Sequence, residues 1–207
     1  MNLPNRLTLA RVVLTVFFVM ALLLPADGVV HAHFPYGKTL ALVIFLVAGL
    51  TDWWDGAIAR LRKQETNFGA LLDPVADKIL TTAAFICFIE QKDHQGHALV
   101  QAWMVLVIVA REFLVTGLRL LAREQGTILK AERLGKHKTA SQMVTIIVTL
   151  LGLAARENWN CFGFDRQRFG FAFSETVFWM MLVTVALTLF SGVAYLVKNR
   201  AIFMHDA

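Results

Sequence analysis

Residues 50–80 read LTDWWDGAIARLRKQETNFGALLDPVADKIL, and they put four aspartates, Asp52, Asp55, Asp73 and Asp77, into a chain otherwise composed for lipid. A charged side chain at the centre of a bilayer costs about 2.5–3.5 kcal/mol on insertion scales, so acids in such a setting default to function. On a helix, Asp52, Asp55, Gly56 and Ala59 follow one another at spacings that share a face, and Asp73 and Asp77 lie one turn apart on the next helix. The short charged connector LRKQETN between them makes the two helices antiparallel neighbours, so the four carboxylates are expected to converge near one membrane face. Gly56, Ala59 and Gly69 interleave with them, and small residues let helices or a ligand approach closely.

The composition around this hairpin agrees. Of 207 residues, 57% are hydrophobic and 17% charged, against about 45–50% and about 25% in soluble domains. A spanning helix needs roughly 20 mostly apolar residues. Six such stretches occur, near 7–25, 38–61, 70–90, 99–122, 138–156 and 174–198. The expectation is a single all-α integral membrane domain over residues 1–207, with six transmembrane helices. The first stretch lacks a small-residue cleavage site and reads as a retained helix. The aromatic stretch NWNCFGFDRQRFGFAF, residues 158–173, reads as an outer interfacial loop. Cys87 falls in a span and Cys161 in that loop, which argues against a disulfide.

Lys and Arg accumulate on the cytoplasmic side of membrane proteins. Arg6, Arg11, Arg60, Arg62, Lys63, Arg119, Arg123, Lys130, Arg133, Lys136, Lys138, Lys198 and Arg200 fall on one side, which predicts that both termini are cytoplasmic. That basic face suits anionic head groups and phosphorylated substrates. Nucleic acid is excluded, because no basic soluble module is left to carry it.

Four clustered acids repel unless something positive lies between them. Arg60 and Lys78 supply part of that charge. One or two hard divalent cations, Mg²⁺ or Mn²⁺, match an all-oxygen donor set better, and two such ions form a clamp for displacement at phosphorus. Salt-bridged helix ends facing water are the bland alternative. A divalent-cation transporter is the remote one, disfavoured because the acids gather at one face and mark no path through the spans.

The stretch fits the signature D-x2-D-G-x2-A-R-x8-G-x3-D-x3-D position by position, at Asp52, Asp55, Gly56, Ala59, Arg60, Gly69, Asp73 and Asp77. It resembles the CDP-alcohol phosphatidyltransferase family, whose members are six-helix membrane enzymes, commonly homodimers. They move a phosphatidyl group from a CDP-linked lipid to an alcohol and release CMP. The resemblance implies that Asp52, Asp55, Asp73 and Asp77 hold two Mg²⁺ or Mn²⁺ ions and that Asp77 is also the general base. Gly56, Ala59, Arg60 and Gly69 would meet the cytidine diphosphate.

NLPNRLTLAR at the N-terminus, REFLVTGLR at 111–119 and GKHKTASQM at 135–143 resemble the bacterial branch that makes phosphatidylglycerophosphate. This implies CDP-diacylglycerol and sn-glycerol 3-phosphate as substrates and the bacterial cytoplasmic membrane as location, with the active site on the cytoplasmic side. Serine, inositol phosphate and phosphatidylglycerol are the alternative acceptors. Arg111, in an apolar span, needs a partner, either Glu112 or a ligand anion. Arg119, Lys136 and Lys138 suit a phosphate through charge-assisted hydrogen bonds, although positive-inside anchoring explains each of them as well. The resemblance favours acceptor binding by Arg111, Arg119, Lys136 and Lys138. One position departs from that branch: His137 stands where a bulky apolar residue is usual.

Overall fold

The computed structural model describes the backbone of residues 3–23, 36–62, 67–124, 133–157 and 165–200, and the side chains at 9–23, 36–51, 78–122, 135–157, 165 and 167–200. Six α-helices and no strand occur among the described residues: α1 Leu3–Leu23, α2 Gly37–Arg62, α3 Asn67–Glu90, α4 Ala102–Glu124, α5 Arg133–Glu157 and α6 Arg166–Lys198. They correspond one for one to the six apolar stretches. The segments Gly135–Glu157 and Gln167–Lys198 are long and apolar enough to cross a membrane.

The helices close a ring in which α1 packs on α2, α2 on α5, α5 on α6, α6 on α4, α4 on α3 and α3 back on α1. Its interior is apolar and aromatic. Phe18 of α1 meets Phe45 of α2 with ring centroids 5.9 Å apart, and Phe85 and Phe88 of α3 are fully buried beside them. Large apolar side chains also cover the outside, among them Phe17, Leu50, Leu106, Phe190 and Val197. A soluble monomer rarely shows so continuous an apolar exterior.

Small and hydroxylic residues set the contact between α5 and α6. A Cβ at Gly152 would stand 2.0 Å from the Phe173 ring, so only glycine permits this approach. The Thr184 hydroxyl lies 2.7 Å from Ser141 Oγ and 3.0 Å from Thr145 Oγ1, which fixes the register of the two helices. Hydrogen bonds of this kind in membrane proteins contribute about 0.6 kcal/mol each on average.

One expectation changes. Residues 166–173, read as loop, are the first two turns of α6. Asp165 caps that helix by accepting from the Gln167 N–H at 3.0 Å, and Phe169 stacks on Phe173 at 6.0 Å. Their apolar side chains are helix-packing residues, and Phe173 is buried. Pro74 lies two turns into α3, which begins at Asn67. The connector between α3 and α4 is a tight turn in which Lys92 pairs with Ala98 and Gly96 takes φ +85°.

The end of the bundle at this connector is tied by polar contacts. Glu157, at the end of α5, accepts from the backbone N–H of Lys38 at 3.0 Å and of Thr39 at 2.8 Å, and from the Thr39 hydroxyl at 2.9 Å. It thus caps α2 from 118 residues away. Arg156 donates to the Lys92 carbonyl at 2.7 Å, and Gln91 donates to the Leu22 carbonyl at 3.3 Å.

Candidate active site

The aspartate hairpin spans the end of α2 and the start of α3. Asp52 and Asp55 lie on helical backbone three residues apart, and Asp73 and Asp77 lie on helical backbone four apart. Their side chains fall outside the described ones, as do those of Gly56, Ala59, Arg60 and Gly69. Among the described residues no group of three or more His, Cys, Asp or Glu forms a metal site. The aspartate set fits a hard divalent cation in chemistry, offering oxygen donors alone from two consecutive helices.

The described side chains begin immediately after Asp77, with Lys78, and there the structure is rich. Lys78 crosses from α3 to α4. Its ammonium lies 3.3 Å from Glu112 Oε2, donates to the Glu112 carbonyl at 3.5 Å and donates to the Thr116 hydroxyl. The second and third turns of α5 carry Lys138 and Gln142 on one face, four residues apart, and both donate to Glu112 Oε1, Gln142 at 3.4 Å. The Arg111 guanidinium stands 3.6 Å from the same oxygen and donates to Ser191 Oγ of α6 at 2.6 Å. Glu112 is therefore a hub for three helices. Its carboxylate is buried, as Lys138 and Gln142 are.

Such a hub is costly unless its hydrogen bonds are well made, since burying ions carries a penalty of several kcal/mol each. Within this group three cations surround one carboxylate, an excess of two positive charges. Arg111 also keeps its Nε–H without a partner among the described residues. The helix lets the guanidinium through because position 192 is glycine: a Cβ there would stand 3.0 Å from Arg111 Cγ.

Beside the hub lies a cavity of about 130 Å³ lined by Arg11 of α1, Ala48 and Gly49 of α2, Lys78, Leu80 and Thr81 of α3, Glu112 of α4, and Lys138, Thr139, Gln142 and Met143 of α5. Ala48 precedes Asp52 by one helical turn, and Thr81 follows Asp77 by one turn. Residues four apart share a helix face, so the cavity continues the faces that carry the aspartates.

The predicted acceptor residues divide here. Lys138 lines the cavity and Arg111 touches its carboxylate, but Arg119 and Lys136 lie elsewhere. Arg119 rests over the Tyr195 ring at 5.3 Å, its Nε 3.4 Å from the phenolic oxygen, and Lys136 is exposed. Of the two partners weighed for Arg111, Glu112 or a ligand anion, Glu112 stands beside it, and Ser191 across the bundle is an unforeseen further one. His137, the departing position, is exposed. Sequence reasoning passed over Arg11, Gln142 and Thr139 and treated Lys78 only as local charge. A signal existed for two of them: Lys78 directly follows Asp77, and Gln142 is one turn from Lys138.

Comparison with known proteins points in one direction. The sequence model described as CDP-alcohol phosphatidyltransferase matches residues 1–190. The CDP-diacylglycerol–glycerol-3-phosphate 3-phosphatidyltransferase of Bacillus subtilis (strain 168) is 37% identical over 202 residues, covering 96% of this chain and 95% of the relative. Proteins of the same name from Haemophilus influenzae (40% over 147 residues; 70% of this chain, 73% of the relative) and Sodalis glossinidius (38% over 152 residues; 72% and 77%) are also similar.

Proposed function

Because the chain belongs to the CDP-alcohol phosphatidyltransferase family, we propose that it transfers the phosphatidyl group of CDP-diacylglycerol to sn-glycerol 3-phosphate, giving phosphatidylglycerophosphate and CMP. The observation that carries the choice of acceptor is the cavity: it adjoins the aspartate faces, and two lysines and an arginine line it against a single described carboxylate. A phosphate monoester, close to a dianion at neutral pH, matches that excess. A neutral acceptor such as serine brings no such charge to the cavity.

In this reading Asp77 takes the proton of the acceptor's 1-hydroxyl, because an alcohol is a poor nucleophile at neutral pH. The acceptor oxygen then bonds to the phosphorus that bears the diacylglycerol, the bond from that phosphorus to the CMP oxygen breaks, and CMP departs. Lys78, the residue after Asp77, and Lys138 hold the acceptor's phosphate. Asp52, Asp55, Asp73 and Asp77 would hold two Mg²⁺ or Mn²⁺ ions, while Gly56, Ala59, Arg60 and Gly69 receive the cytidine diphosphate. When bound, the metal offsets negative charge on the diphosphate and the leaving CMP.

All six helices cross the bacterial cytoplasmic membrane, with both termini and the active site on the cytoplasmic side. The apolar exterior and the Lys/Arg distribution support this. A homodimer fits the family. The test is CMP release by purified protein in detergent with CDP-diacylglycerol and Mg²⁺, offering sn-glycerol 3-phosphate, inositol phosphate, serine and phosphatidylglycerol in turn. Release with glycerol 3-phosphate alone is expected; release with another acceptor overturns the assignment. Metal flux in proteoliposomes without CDP-lipid would point to transport.

A further inference from the structure

We propose that Gly49 of α2 sets the size of the acceptor: by carrying no side chain it keeps open the part of the cavity between α2 and α5, and a larger residue at this position shuts the acceptor out. This rests on the reading of the cavity as the acceptor site and adds a residue that acts through the space it leaves.

Glycine inside a helix needs a reason, because it is destabilising there relative to alanine. Elsewhere in the bundle the reason is crowding. A Cβ at Gly152 would stand 2.0 Å from the Phe173 ring, and one at Gly192 would stand 3.0 Å from Arg111 Cγ. Gly49 differs. The nearest atom of the described residues to a Cβ placed there is Met143 Cε at 3.8 Å, an ordinary van der Waals distance. Alanine would therefore fit against the described residues without moving them, and close helix packing does not call for glycine. Gly117 and Gly135 are likewise uncrowded among the described residues, but neither lines the cavity.

What Gly49 borders is space. It lines the cavity together with Ala48, its neighbour on α2, and Met143 of α5. The cavity's 130 Å³ is about ten times the volume that admits a single water, enough for a small solute. Positions 49 and 52 are three residues apart on α2, so the opening continues the helix face that carries Asp52. A ligand seated there lies beside the position of a predicted metal ligand. In a fitted pocket one methylene more or less is worth about 10–200-fold. Met143, unbranched and adaptable, can yield to an added methyl group. It cannot yield to a branched side chain without surrendering the space itself.

The experiment measures the KM for sn-glycerol 3-phosphate and for CDP-diacylglycerol through CMP release by purified full-length protein in detergent. The variants are Gly49→Ala, Gly49→Leu, Met143→Ala and the double variant Gly49→Leu/Met143→Ala. Gly49→Leu is expected to raise the acceptor KM at least about tenfold, with the CDP-diacylglycerol KM within about twofold of wild type. Gly49→Ala should raise the acceptor KM only about two- to threefold, because Met143 adapts. In the double variant the shortened side chain at 143 returns the space, so its acceptor KM should come within about threefold of that of Met143→Ala. An unchanged acceptor KM in Gly49→Leu would overturn the proposal, as would no recovery in the double variant. Equal rises for acceptor and CDP-lipid would overturn it too, since they mark a distorted bundle. Should Gly49→Leu not purify as a folded protein, Gly49→Ala must raise the acceptor KM alone and Met143→Ala must reverse that rise. If the wild type releases CMP only with a different acceptor, and the KM for that acceptor alone rises in Gly49→Leu, the size role stands and glycerol 3-phosphate falls. No release from the wild type with any acceptor overturns both.

Discussion

Glu112 and Glu157 are buried or half-buried carboxylates at opposite ends of α5's contacts, and they are satisfied in opposite ways. Glu157 accepts three hydrogen bonds from neutral donors at the start of α2. Its charge is met by the positive end of a helix, an arrangement that caps and ties. Glu112 takes Lys78, Lys138 and Arg111, more positive charge than it can offset. Burial alone does not separate a fastening from a site. What separates them is what they meet: around Glu157 a single carboxylate meets neutral N–H and O–H groups, whereas around Glu112 one carboxylate meets three cations beside a cavity.

The contrast predicts that substitutions near Glu112 are felt in turnover and those near Glu157 in stability. The largest effect belongs to Asp77→Asn, one residue before Lys78. It should lower CMP release by about 10²–10⁴-fold, the range for loss of a general base. Near-normal turnover in that variant would remove Asp77 from the role.

Next comes Lys138→Met. Removing one partner of a buried pair costs about 2–5 kcal/mol, so kcat/KM for glycerol 3-phosphate should fall about a hundredfold, mainly through KM. An unchanged acceptor KM would make Glu112 as purely structural as Glu157.

At the other end of α5, Gly152→Ala drives a methyl into the Phe173 ring and should destabilise the bundle by about 1–3 kcal/mol, read from denaturation in detergent. Glu157→Gln keeps shape but loses the charge at the α2 N-terminus. A loss of about 1 kcal/mol is expected, as for a helix cap, with acceptor KM unmoved. A changed acceptor KM there would dissolve the comparison.

The smallest effect concerns Asp93, in the turn between α3 and α4. Desolvation pushes its carboxyl up, but the N–H groups of Gln95 at 2.7 Å and His97 at 2.9 Å, with the imidazoles of His97 and His94, outweigh it. The carboxyl is held below its ordinary value of 3.8. A depressed folded pKa stabilises above the unfolded pKa and is lost as pH falls through the folded one. Wild type should therefore lose a small increment of stability on acidification below about pH 4 that Asp93→Asn lacks, seen by comparing their acid denaturation curves.

Much of this was legible beforehand, and the reasons are physical. Apolar runs of about 20 residues fix where helices lie, because nothing else satisfies the backbone in lipid. The aspartate hairpin could be read from spacing, since periods of three and four translate directly into a helix face. Glu112 could not be ranked that way. In sequence it is one acid beside one arginine, and its partners Lys78, Lys138 and Gln142 arrive from helices 34, 26 and 30 residues away. Arg119 and Lys136 carry the same charge as Lys138, yet a two-residue step around the helix turns Lys136 outward while Lys138 faces in. The start of α6 was missed because aromatic residues suit an interface and a helix core equally well. Only the glycine at position 152, on another helix, decides between them.

The fastening at Glu157 also has a mechanical meaning. From Glu157 back to Lys138 is 19 residues of helix, about 28 Å at 1.5 Å per residue. With Glu157 tied to α2 and Arg156 tied to the carbonyl of Lys92, that length is a lever pinned at one tip. A tilt of about 4° around the pin carries Lys138 sideways by about 2 Å over such a length. A rotation too small to disturb the hydrogen bonds at the pinned end thus becomes a stroke comparable with a bond length and more at the wall of the cavity that Lys138 lines.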